Sequence, residues 1–139
     1  KTMANTAITN GADIVFQAAG ATGLGVIEAC QEAGVYAIGV DSDQSSIAPS
    51  TVLTSAMKRV DNAVYNAVEE LMDGSLEGGV QSFDLAAGGV DIAPTQDLIA
   101  PEVISAVDEV KEKIVSGEIE VPADKESFEA KYGDVYQLD

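Results

Sequence analysis

Three places in this sequence carry residues able to hold a small polar ligand. Gly20-Ala21-Thr22-Gly23-Leu24-Gly25 is a glycine-rich turn. Glycines let backbone approach a ligand closely, and the N-terminus of a following helix favours anions and polar groups. Asp41 stands at the end of the apolar run Val35 to Val40, about twenty residues beyond the turn, the offset of a ribose-binding acid in a dinucleotide fingerprint. A carboxylate at the end of a strand can accept hydrogen bonds from two vicinal hydroxyls. Lys58 follows another apolar stretch and can donate to a ring nitrogen or a carbonyl, with Asp41 offsetting its charge.

Each of these residues also has a plainer reading. The turn is equally a tight strand-to-helix connection without a ligand, and its glycines run G-x-x-G-x-G rather than G-x-G-x-x-G. Asp41, or Asp43 beside it, is equally a turn or helix-capping carboxylate. Lys58 and Arg59 are equally a soluble basic pair held by nearby acids. Phe16 lies in an apolar run and reads as core rather than as a stacking platform.

Composition excludes several chemistries. Histidine is absent from the sequence, which removes a Ser-His-Asp triad, a Cys-His pair and histidine zinc sites. The one cysteine, Cys30, sits in a helical pattern with Val26 and Ala33 and reads as a small core residue. The net charge of −17 disfavours nucleic acid and anionic lipid as partners. No apolar run reaches the roughly eighteen residues of a membrane span, and no basic-then-apolar leader opens the sequence. Lys1-Thr2-Met3-Ala4 reads as the middle of a helix, so the natural start is expected upstream.

The elements that position these residues alternate. Residues 1–9 read as a helix ended by Asn10-Gly11, and 13–19 as a buried strand. Thr22 is placed as the N-cap of a helix that stops at Gly34. Val35 to Val40 is a second strand and Val52 to Ser55 a third. Val60, Val64, Ala67, Val68 and Leu71 form one helical stripe ended by Gly74. Residues 80–86 and 89–93 alternate as a hairpin or two strand pieces around Gly88-Gly89. Pro101 opens a helix that Gly117 closes, and Asp124 to Lys131 reads as a last turn or two. This is an α/β pattern, a mainly parallel sheet flanked by helices. Ligands of such sheets bind at the carboxyl ends of the strands, at a switch point in strand order.

The segments VFQAAGATGLGVIEACQEAGVYAIGVDSDQ (15–44), VLTSAMKRVD (52–61), GGVDIAP (88–94) and IVSGEIEVP (114–122) together resemble the basic membrane protein family. These are substrate-binding lipoproteins of ABC importers and include purine nucleoside receptors. The resemblance implies one lobe of a type I periplasmic-binding-protein fold, in which two α/β lobes joined by three crossing segments close on a ligand. Residues 1–139 then form the C-terminal portion. Residues 55–82 hold crossing segments and a helix expected to dock on the absent first lobe. By the same resemblance Gly20 lines the pocket with its backbone, Asp41 binds ribose hydroxyls and Lys58 contacts the nucleoside. The implied partners are a nucleoside, ABC permease subunits and the N-terminal lobe, with no nucleic acid, no cofactor and no catalysis. The implied location is extracytoplasmic and lipid-anchored, through a cysteine other than Cys30. Two alternatives stay open: a small Rossmann-type dinucleotide-binding enzyme domain, and a sensor or regulator on the same fold.

Two geometric expectations follow. Neighbouring residues of an extended chain point to opposite sides, so Lys58 should face Asp41 while Arg59 points elsewhere. The apolar stripe of the helix at 61–72 should be mostly buried, by folding back onto the sheet or by docking against a neighbouring copy.

Overall fold

The computed structural model describes residues 1–133 and 135, arranged as two compact units, Lys1–Val103 and Ile104–Asp139. The first unit runs α1 (Thr2–Thr9), β1 (Ile14–Phe16), a 3-10 turn (Gly20–Gly23), α2 (Leu24–Ala33) and β2 (Tyr36–Asp41). A 3-10 turn (Ser45–Ile47), β3 (Val52–Lys58), α3 (Val60–Asp73) and β4 (Val90–Ile92) follow. α4 (Pro101–Val115) begins in the first unit and ends in the second, which also holds α5 (Lys125–Tyr132).

β1, β2 and β3 are parallel neighbours, and β4 pairs antiparallel with β3 at the far edge. The expected α/β class and mainly parallel sheet are present. The strands lie in sequence order, so no switch point occurs among the described strands. The carboxyl ends of β1 to β3 nevertheless fall on one edge of the sheet, because parallel strands end together.

The core sits between α2 and the sheet. Ile27 and Cys30, one turn apart on α2, pack with Ala37, Ala48 and Val52, and Ile8, Val15, Val26 and Val35 close around them. Burial of a side chain like Ile27 contributes about 1.5–3 kcal/mol. Cys30 is fully buried, and burial pushes its thiol up from the ordinary range, which makes it a packing residue rather than a reactive one. α2 ends where Gly34 turns left-handed (φ 69°), a conformation that glycine adopts without a Cβ clash. Lys1 bridges from the start of α1 to Glu28 (2.9 Å) and Glu32 (2.8 Å), one turn apart on α2.

Several local expectations are corrected. Thr22 does not cap α2; its hydroxyl donates to the Ala19 carbonyl (2.7 Å) within a 3-10 turn, and α2 starts at Leu24 without a side-chain cap. Residues 80–86 form no strand, and of the expected pair only Val90–Ile92 joins the sheet. β3 runs three residues further than the pattern indicated, to Lys58, because β4 gives its end a partner: Ala56 opposes Ile92 and Lys58 opposes Val90. α5 is opened by a capping box in which the Asp124 carboxylate accepts from the Ser127 amide at 2.8 Å.

α3 buries none of its residues. Val64, Val68 and Leu71 are 59%, 50% and 66% exposed. The stripe therefore does not fold back onto the sheet, and the expectation that it is mostly buried is not met within this chain, because among the described residues no element of the sheet packs on it.

Candidate ligand-binding site

Gly20 follows β1, Asp41 is the last residue of β2 and Lys58 the last of β3. Register fixes their relation: Asp41 lies opposite Met57, one residue short of Lys58. The Lys58 ammonium stands 3.4 Å from Asp41 Oδ1, both side chains being more than half exposed. Arg59 turns to α3, where its guanidinium grips the Asp61 carboxylate (2.8 Å) and the Asn62 side-chain oxygen (3.1 Å). Adjacent basic residues thus serve different places, as alternation along an extended chain requires.

Three features distinguish this edge. Among the described residues Asp41 is the only non-glycine with positive φ (68°). Aspartate tolerates this left-handed region better than most residues, but it remains uncommon and collects at functional positions. Gly20 is left-handed as well (φ 53°), and the space where its side chain would stand is open, so its backbone is bare. Phe16, expected in the core, is instead 58% exposed at the end of β1. The ring of Phe16 is an aromatic surface that the sequence reading missed. The signal was available in period-2 alternation: Val15 and Gln17 face inward, so Phe16 faces out.

Beneath the edge runs a polar network. Gln17, 3% exposed, donates through Nε2 to Gln44 Oε1 (3.1 Å), and its own Oε1 accepts from the Ala19 amide (2.9 Å). The Val40 amide donates to the same Gln44 oxygen (3.1 Å), and the Gln44 amide donates to Ser55 Oγ (3.0 Å). Asp43 accepts from Thr95 Oγ1 (2.6 Å) and the Ser45 amide (3.0 Å). These bonds, Thr95 first, hold its carboxyl below the ordinary range. A hollow of about 110 Å³ beside Ser45, Thr95 and Leu98 is smaller than the roughly 300–1,000 Å³ of ligand pockets. Among the described residues no group of histidine, cysteine, aspartate or glutamate could hold a metal.

The glycine turn has a structural occupant. A side chain on Gly23 would run into the carboxamide of Gln17. Gly23 makes room for a buried glutamine.

Comparison with known proteins decides the family. The model for Bmp, described as ABC transporter substrate-binding protein PnrA-like, matches residues 1–125. The chain belongs to the Bmp family. Basic membrane protein D of Borreliella burgdorferi (strain JD1) is 39% identical over 126 residues, which is 86% of this chain and 37% of that protein. Basic membrane protein A of Borreliella afzelii is 36% identical over 133 residues, 93% of this chain and 41% of the relative. The Bmp chain described here thus spans about two fifths of these relatives. A crystal structure of ABC transporter system solute-binding proteins from Aeropyrum pernix K1 superposes with a TM-score of 0.76 at 27% identity, covering 93% of this chain and 46% of that one. A transcriptional activator of the comK gene from Bacillus halodurans superposes at 0.78 with 24% identity, covering 82% and 40%, and at that identity it shows the fold alone. The Bmp description is that of a substrate-binding protein. Among the described residues no helix is long and apolar enough to cross a membrane.

Proposed function

We propose that this chain is the C-terminal portion of an extracytoplasmic, lipid-anchored substrate-binding protein that takes a nucleoside, of the purine class, and passes it to ABC permease subunits. The observation that carries the reading is the Asp41 carboxylate beside the Lys58 ammonium at the end of parallel strands. A carboxylate accepts from two neighbouring hydroxyls, and an ammonium donates to an acceptor on the same ligand. The bare backbone at Gly20 and the exposed ring of Phe16 add a close approach and a flat apolar face. In this reading residues 55–82 carry the crossing segments, and the α3 stripe docks on a first lobe. Val64, Val68 and Leu71, uncovered in this chain, support that assignment.

The dinucleotide-enzyme reading loses its chief support, since Gly23 faces Gln17 rather than open space. Calorimetry on the full-length protein tests the proposal. Inosine or adenosine is expected to bind and NAD not to. Binding of NAD, with neither nucleoside bound, refutes it.

A further inference from the structure

We propose that Gln44 is the positioning residue of this site: its one side-chain oxygen ties the segment bearing Gly20 to the segment bearing Asp41. The inference rests on the ligand-binding reading of Asp41 given above.

That oxygen accepts from Gln17 Nε2 and from the Val40 amide, each at 3.1 Å. Val40 immediately precedes Asp41. Gln17 in turn holds the amide of Ala19, the residue before Gly20. Ser55 Oγ takes the Gln44 amide, and Ser55 lies in the strand that ends at Lys58. The segments bearing all three ligand-facing positions are therefore reached from one partly buried residue. The sequence makes space for this arrangement twice. A Cβ at Gly23 would collide with Gln17, and a Cβ at Gly39 would stand 2.5 Å from Ser55 Oγ and 2.6 Å from Gln44 Oε1. Gln17 and Ser55 are buried, at 3% and 0% exposure. Among the described residues no buried side-chain nitrogen or oxygen lacks a partner. Removal of the Gln44 oxygen leaves the Val40 amide and Gln17 Nε2 without an acceptor, and such groups seek new partners by moving. Asp41 is the residue most exposed to that movement, because its left-handed backbone is held only while its neighbours are. Loss of placement at a binding group is costly even when no contact is deleted.

The test compares Gln44→Met, which keeps volume and removes the acceptor, with Gln44→Glu, which keeps the acceptor, in the full-length protein with inosine as probe. Gln44→Met is expected to weaken binding about tenfold or more, the size of one lost hydrogen bond or more, and Gln44→Glu to recover most of it. In an Asp41→Asn background Gln44→Met is expected to cost less than about twofold, since residues acting as a unit are not additive. A merely structural role would lower the melting temperature and leave that coupling at zero. Unchanged inosine affinity in Gln44→Met, or equal losses in both backgrounds, overturns the proposal. If the wild type binds no nucleoside, the function proposed above falls, and amide exchange in the ligand-free protein decides the positioning role. The Ala19 amide, bonded to Gln17 and not to Gln44, is expected to exchange about tenfold faster in Gln44→Met. An unchanged Ala19 rate overturns the proposal.

Discussion

Lys58 Nζ and Asp41 Oδ1 are 3.4 Å apart on adjacent parallel strands, with both side chains more exposed than buried. A pair this open contributes about 0–1 kcal/mol to stability, so its placement is poorly explained by folding alone. The same two groups, desolvated by a ligand, would each form charge-assisted bonds.

Asp41→Asn is expected to weaken inosine binding by the cost of a charge-assisted bond, about 1.5–3 kcal/mol, with a change in unfolding midpoint close to zero. Asparagine is the informative replacement because it also tolerates the left-handed backbone (φ 68°). Calorimetry and urea unfolding of the same preparation measure both quantities. Equal affinity in wild type and variant would remove Asp41 from the site.

Gly39→Ala is expected to destabilise the protein by about 1–3 kcal/mol. The new methyl would meet Ser55 Oγ and Gln44 Oε1, and overpacking of this kind outweighs the roughly 0.4–1 kcal/mol that Gly→Ala gains by restricting the unfolded chain. Gly78→Ala, where nothing lies within 4 Å, is the control and should shift stability by less than about 0.5 kcal/mol. Urea midpoints distinguish the two, and a neutral Gly39→Ala would refute the packing account.

Asp43 gives a pH signature. Thr95 and Ser45 lower its folded-state value below 3.8, so it binds protons less readily when folded. Its stabilising contribution is full above the ordinary carboxylate value and is lost as pH falls through the lowered one. Wild type should therefore exceed Asp43→Asn in stability at neutral pH, with the gap narrowing below about pH 4. A gap independent of pH would show that the carboxylate charge is not what Thr95 and Ser45 recognise.

The α3 stripe separates the isolated chain from the full-length protein. Val64→Ser and Val68→Ser remove apolar groups that are already half exposed here, so the melting temperature of the 139-residue chain should barely change. If α3 docks on a first lobe in the full-length protein, each should cost about 1.5–3 kcal/mol there. Equal small effects in both proteins would refute docking.

The isolated chain should also bind inosine at about 1 mM or weaker. A binding site normally encloses roughly 70–90% of a small ligand, and this edge is open. Micromolar affinity by equilibrium dialysis would mean the site is complete within these residues.

Much of the fold was legible because local signals carried it. Gly34 and Gly74 end their helices in the left-handed conformation that their position after the apolar stripe implied, and Pro101 opens α4. The far end of β3 was not legible, since its partner β4 is remote in sequence and pairing is a property of both strands. Asp41 could be singled out by type and by strand-end position, Lys58 by type and by its place shortly after an apolar stretch, and their proximity follows from register. Gln17 and Gln44 gave no such signal. A polar residue in an apolar run marks no function until the oxygen it meets is known, and here that oxygen lies 27 residues away, beyond the neighbouring strand. Phe16 was misassigned because an aromatic in a short strand is core by prior expectation, although alternation with Gln17 pointed outward.

Residues 59–89 leave and rejoin the sheet side by side: the Arg59 amide donates to the Gly89 carbonyl (2.9 Å), and Lys58 opposes Val90. Both tethers of the excursion are thus anchored on one two-ply ribbon. β3 and β4 are joined to each other where α3 departs, and the boundary between this ribbon and the rest of the sheet lies between β3 and β2. Asp41 and Lys58 stand on the two sides of that boundary, 3.4 Å apart, so the pair spans the one parallel seam that the excursion adjoins.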